Sequence, residues 1–306
     1  MTTLKGFASL VLAAATITTI SAETRCPGNV ASVPLQTVNR QQFLVGVSIN
    51  HSGPYSFLLD TGTQVTMVDP ALAAELHLSA EGSANVASAG SYSSSSASFA
   101  HVDLLEAGSH AVANQAVLVY DLQNLSSANR AIRGILGEDF LGRFDMLIDN
   151  AHNLLCLDDS TTMRANVKGP HIPLVISAGS GETQSSPSRL IVAVRITDGM
   201  RPLRLKLDSG TNVSLLYNIS QFMTRALFSA TPLQGKGADG AQRVFSALPP
   251  QEVEIGSLDL PRVSFITRLG AEKTANMAEL DGLLPTGLFR RIFIDHVNHF
   301  AVLEQW

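Results

Sequence analysis

"FLLDTGTQVTMVDP" begins at Phe57, and "RLKLDSGTNVSLLY" begins at Arg204. Each places an aspartate, Asp60 or Asp208, after an apolar run and before a small hydroxyl residue, Gly and Thr. An ionisable side chain at the end of a core strand is costly unless something uses it. Two of them in matching contexts predict two halves of one device.

Working outward, the chain repeats itself in order. Val33-Pro34-Leu35 matches Ile172-Pro173-Leu174, and "GILGEDFLGRFDMLIDN" from Gly134 matches "GLLPTGLFRRIFIDH" from Gly282. The distance from Asp60 to Gly134 is 74 residues, and so is that from Asp208 to Gly282. Between these landmarks the pattern is mostly β. "FLVGVSI" and "LIVAVRIT" are short β-branched runs, each leading through a Gly/Pro turn (His51 to Pro54; Asp198 to Pro202) into the strand with the aspartate. Short helices are expected over 70–78, with Asp69 as cap and Pro70 at the start, and over 219–228. Later strands are read in "SASFAHVDLLEAG", "AVLVYDL" and "MLIDNAHNLLCLD". This predicts two β-rich lobes rather than an alternating α/β sheet. Their bounds are expected at 23–158 and 171–306, joined by a polar linker at 159–170. "SAGSGETQSSPS" (177–188) reads as a surface loop. "SYSSSSAS" (91–98) is either a loop or the tip of a mobile hairpin, and composition does not choose.

The remaining features bound the function. With 306 residues, 45% hydrophobic and 15% charged, the chain can bury a sizeable core. The net charge of −5 and the lack of a Lys/Arg cluster argue against nucleic acid as a partner. Lys5, the apolar stretch Phe7 to Ile20 and the small residues Ser21-Ala22 read as a secretory signal over residues 1–22. That stretch is short for a span, which needs ~20 residues, and no other run is long enough. Removing it takes away one Lys and no acid, so −5 becomes −6. Two cysteines, Cys26 and Cys156, lie in the exported part. An oxidising compartment allows a bridge between them, and two buried free thiols are the alternative. No CxxC, HExxH or His/Cys cluster suggests a metal. His296 and His299 are read in a strand, where they would face opposite ways. No Gly-x-Ser-x-Gly elbow and no phosphate loop occurs.

What D-[T/S]-G supplies is a carboxylate where water is scarce, a tight turn at Gly whose N–H groups approach its oxygens, and a hydroxyl that fixes the turn. A bare match arises by chance in roughly one chain of this size in seven. Two, at matched distances from a second repeated landmark, are far rarer. Facing each other, two such carboxylates would share one proton and titrate together. One could take a proton from a water attacking a peptide carbonyl while the protonated partner bonds the carbonyl oxygen.

The chain resembles two-lobed aspartic peptidases of the pepsin/retropepsin class, in the style of bacterial exported proteins with retropepsin-like lobes, over roughly residues 33–306. Asp60-Thr61-Gly62-Thr63 and Asp208-Ser209-Gly210-Thr211 carry the loop motif, and Ile135-Leu136-Gly137 the hydrophobic-hydrophobic-Gly segment beside it. The resemblance implies an all-β, pepsin-like pair of retropepsin-like barrel lobes related by a pseudo-twofold axis. It implies Asp60 and Asp208 as catalytic dyad, with Thr61 and Ser209 bracing the loops. It implies an exported, monomeric endopeptidase acting on peptide or unfolded protein, without cofactor or metal. Departures are Leu283-Leu284-Pro285, whose Pro cannot donate a backbone hydrogen bond, and Gln64 in place of a small hydroxyl residue. No tyrosine-glycine-threonine flap signature occurs, and Tyr92 is the candidate flap aromatic. Only about a dozen residues separate the expected cleavage site from Val33, where a pepsin-style propeptide does not fit. A bilobal binding protein without turnover is the competing reading, and a structural β-rich envelope protein a third.

Overall fold

The computed structural model describes residues 26–38, 41–87, 94–125, 132–175, 190–196, 201–217, 231–236, 241–267 and 280–306. The signal segment, Tyr92, the 219–228 helix and the 177–188 loop lie outside them. Strands dominate, arranged as one sheet of 13 strands and one of 9.

The same arrangement occurs in each half. The strand Ser52–Leu59, ending beside Asp60, pairs antiparallel with Gln42–Ile49 and parallel with Gly134–Leu136. Leu203–Asp208 pairs antiparallel with Ile191–Ile196 and parallel with Gly282–Pro285. In register, Phe57 faces Gly134 and Leu205 faces Gly282. The equal spacings in the sequence are therefore equal registers in space. The strand after each aspartate, Met67–Val68 or Ser214–Leu216, folds back antiparallel on the landmark strand. A parallel pair cannot be closed by a tight turn. The long excursion of each half, roughly residues 70–133 or 217–281, makes that return.

Between the lobes lies a layer built from both halves. Asp145–Asp149 and Arg291–Asp295 run antiparallel, with Ile148 opposite Ile292 and Leu147 opposite Phe293. Outside them come Leu154–Asp158 and Phe300–Glu304, then the Val33 and Ile172 landmark strands. One large apolar core runs through both lobes and includes Phe57, Leu59, Leu136, Leu207, Leu284 and Ile292. Cys26 and Cys156 are joined by a disulfide within a smaller buried cluster with Leu147, Met163 and Phe293.

Several local readings differ from the sequence expectation. The turn before the first aspartate strand is Asn50-His51, both at positive φ (49° and 64°), which suits a two-residue hairpin. The polar stretch 159–170 contains a helix, Thr162–Asn166. Its Met163 is fully buried, and its Arg164 pairs with Asp145 at 2.6 Å and Asp295 at 2.7 Å. His296 and His299 occupy the turn after Arg291–Asp295 rather than a strand. There His296 is buried and its Nδ1 lies 2.7 Å from the Phe144 carbonyl. Residues 94–98 belong to the strand Ser94–Ala107, which pairs with Ala80–Ala87 as a hairpin. The first helix is Pro70–Glu75, capped by Asp69 accepting from Leu72 N at 2.8 Å.

Candidate active site

The two aspartate turns meet where the lobes join. The backbone N–H of Asp60 donates to the Leu136 carbonyl at 3.1 Å, fixing the turn onto its landmark strand. Asp208 ends its own strand opposite Pro285. Each carboxyl lies against the glycine of the opposite turn, Asp208 against Gly62 and Asp60 against Gly210.

Thr61 and Ser209 hold the loops together by a symmetric exchange. Thr61 Oγ1 donates to the Leu207 carbonyl at 2.9 Å and accepts from Ser209 N at 3.0 Å. Ser209 Oγ donates to the Leu59 carbonyl at 2.8 Å and accepts from Thr61 N at 3.0 Å. Both side chains are fully buried, so each bond stands without competition from water.

Gly62 and Gly210 are needed for a reason the sequence does not display. Neither has positive φ. Instead each packs flat against the opposite aspartate. A Cβ on Gly62 would lie 2.5 Å from the carboxyl carbon of Asp208, and one on Gly210 would collide in the same way with Asp60. Only a residue without a side chain lets the two carboxyls approach.

The two carboxyls are held differently. Asp60 accepts from Gly62 N at 2.7 Å, Thr63 N at 3.2 Å and Thr63 Oγ1 at 2.7 Å. Asp208 accepts from Gly210 N at 2.8 Å. Thr211 Oγ1 turns instead to its own loop, donating to Val213 O at 3.2 Å. Asp208 is also the more deeply buried of the two. Its pKa is raised to about 7, first by burial and then by the Asp60 charge. Lys206 and the Gly210 N–H act in the opposite sense.

Three contributors went unread in the sequence. Lys206 Nζ donates to the Gly62 carbonyl at 2.7 Å, and Gln42 Nε2 donates to the Gly210 carbonyl, so each lobe sends a side chain to the other's loop. Asp139 accepts from Thr66 N at 2.9 Å and Thr66 Oγ1 at 2.6 Å, while Gly137 N donates to Thr66 Oγ1 at 3.1 Å. Aligning "FLLDTG" with "LKLDSG" puts Lys206 opposite Leu58, and that mismatch was the available signal. Gln64 is exposed, and its carbonyl accepts Asp139 N at 3.1 Å, so its long side chain disturbs nothing. Among the described residues no group of His, Cys, Asp and Glu is arranged to hold a metal.

Residues 45–140 match a family model described as aspartyl protease. Among solved structures, the aspartic proteinase from Irpex lacteus superposes with a TM-score of 0.54 at 15% identity, covering 90% of this chain and 97% of that one. A retropepsin-like aspartic protease from Rickettsia conorii is similar over 42% of this chain and 90% of its own, at 17% identity and a TM-score of 0.30. No curated protein matches the chain. The fold is thus that of the bilobal, pepsin-like aspartic proteases. Family match and fold support a peptidase, a hydrolase whose substrate is a peptide.

Proposed function

We propose that the protein is an exported aspartic endopeptidase whose dyad is Asp60 and Asp208. The observation that carries this reading is the close approach of two carboxyls at the joint of two equivalent lobes, each packed against the glycine of the other's turn. Two carboxyls that close retain one proton between them over a range of pH. Burial favours the neutral form of Asp208, which leaves Asp60 as the partner that receives a proton. Asp60 is accordingly the base and Asp208 the acid.

In the first step Asp60 takes a proton from water as the water oxygen bonds to the peptide carbonyl carbon. Asp208 gives its proton to the carbonyl oxygen, producing a neutral gem-diol. In the second step Asp60 passes its proton to the amide nitrogen, and the C–N bond breaks. Asp208 recovers a proton from one hydroxyl, leaving a carboxylic acid and an amine with the dyad restored. Thr61 and Ser209 hold the loops in register, and Gly62 and Gly210 permit the approach.

Both carboxyls come from one chain, which fits action as a monomer. Export by a signal over residues 1–22, to the periplasm or the medium, fits the disulfide between Cys26 and Cys156. The test is cleavage of a denatured protein mixture between pH 3 and 7. Asp60→Asn and Asp208→Asn should each fold and each lose at least about 10³-fold in kcat/KM, as members of one catalytic unit do. A wild-type protein that binds peptides and cleaves none would establish the binding-protein reading instead. Activity surviving in folded Asp208→Asn would place the chemistry elsewhere.

A further inference from the structure

The two lobes differ at one position in the floor beneath the aspartates. In lobe one, Leu58 lies between Leu44 and Ile135 on neighbouring strands, three apolar side chains in one satellite cluster. In lobe two the same place, between Ile191 and Leu283, is taken by Lys206. Lys206 is 5% exposed. A buried ammonium is costly unless a charge or a good acceptor receives it. Its stem can fill the apolar slot that Leu58 fills, while its head reaches past the axis to the Gly62 carbonyl at 2.7 Å.

We propose that Lys206 is a positioning residue for the dyad: it ties the Gly62 turn of lobe one to the strand carrying Asp208, and its charge sets the upper pH limit at which the pair keeps its single proton. The inference rests on the peptidase reading above. The charged surroundings of Asp208 are simple among the described residues. Asp60 faces it from the opposite loop and Lys206 from its own strand. The pairing strand Gly282–Pro285 and the turn Thr61–Thr63 bring no titratable side chain. Arg204 and Asp281 stand at the far end of the strand, where Arg204 N donates to Asp281 at 2.9 Å. Asp60 favours the neutral form of Asp208 and Lys206 favours the charged form, in agreement with their opposite effects on its titration.

The sign follows. Activity falls as Asp208 gives up the shared proton, so removing the cation moves that alkaline limb upward. A unit charge in contact range moves a carboxyl by about one unit or more. Lys206→Gln keeps a donor for the Gly62 carbonyl and loses the charge. Lys206→Met loses both, and Lys206→Arg keeps the charge. The alkaline limb of kcat/KM should rise by about one pH unit in the Gln and Met variants and stay in place in Arg. Maximal kcat should fall further in Met than in Gln, because Met also releases the turn. Alongside activity, the Asp208 carboxyl is titrated by ¹³C NMR and assigned with Asp208→Asn. Limbs and titrations that coincide in wild type and Lys206→Gln overturn the role given to the charge. A wild type without cleavage but with an Asp208 titration that rises in Lys206→Gln overturns the peptidase reading and leaves the electrostatic tie intact.

Discussion

The two aspartate loops share almost every residue type and yet are supported unequally. In lobe one the turn is braced from behind: Thr66 donates to Asp139 and accepts from Gly137 N, and Thr63 donates to Asp60. In lobe two Ser214 stands in the place of Thr66, Pro285 in that of Gly137 and Gly287 in that of Asp139. Pro285 has no N–H to offer, and Thr211 turns away from Asp208. Lobe two also runs from its landmark glycine to its interlobe aspartate (Asp149 or Asp295) in two fewer residues than lobe one. A short 3₁₀ turn, Thr286–Leu288, replaces the helix Glu138–Leu141. Duplication thus supplies two carboxyls of the same shape. The unequal supports hold them differently, Asp60 met by three donors and Asp208 more deeply buried with one backbone donor.

The comparison can be broken first where the loops are alike. Gly62→Ala and Gly210→Ala each push a methyl group into the opposite carboxyl. A misplacement near 1 Å costs about 10²-fold in rate, so both should lose at least that in kcat/KM, and by similar amounts. A much milder Gly210→Ala would mean that the lobes are not equivalent at their contact.

Next comes the acid itself. The folded pKa of Asp208, about 7, lies above its ordinary 3.8, so the folded state binds that proton more tightly than the unfolded chain. The resulting stability is present below about pH 4 and is lost as pH rises toward about 7. Asp208→Asn cannot ionise, and should therefore unfold at a higher temperature than wild type at pH 8. The gain, on the order of a few kcal/mol at most, should vanish near pH 3.5. Thermal unfolding across pH measures it, and an equal gain at both ends would deny the raised pKa.

Asp139 sharpens the difference between the lobes. Burial raises its pKa, and the Thr66 donors partly offset this. Asp139→Ala leaves both Thr66 donors unmet and should cost about 1–3 kcal/mol in urea unfolding. Ser214→Ala in lobe two, with no such carboxylate behind it, should cost less.

The smallest effect concerns the two threonines. Thr63→Val removes one donor to Asp60, worth roughly tenfold in kcat/KM if the bond acts at full charge-assisted strength. Thr211→Val should leave kcat/KM unchanged. Equal responses would restore symmetry to the dyad.

How much of this was legible follows from where each signal resides. The aspartate motifs, the 74-residue spacings and the landmark strands are properties of short stretches, and they survive as pairings in space. The bracing by Thr61 and Ser209 was implied by family resemblance, and the bonds have that form. What stayed hidden depends on partners far along the chain. Gly62 reads as a turn former until the carboxyl 146 residues later is seen against it. Met163 and Arg164 look like linker residues because the groups that bury them come from other strands. Asn50-His51 was overlooked because Gly53-Pro54 is the louder turn signal, although Gly53 and Pro54 lie within the strand.

The disulfide has one further meaning for a molecule that cuts peptides. Cys26 and Cys156, 130 positions apart, close a covalent ring containing Asp60, its brace Thr61 and the landmark strand Gly134–Leu136. A single cut anywhere inside that ring, by the protein's own kind or another, opens a circle without freeing a fragment. Everything bearing on Asp60 stays tethered, and the broken ends are held near enough to keep their places in the sheet. The half that carries Asp208 contains neither of the chain's two cysteines and has no such ring. A cut there leaves two pieces joined only by strand pairing and packing, so the lobe that carries Asp208 is the less protected of the two against nicking.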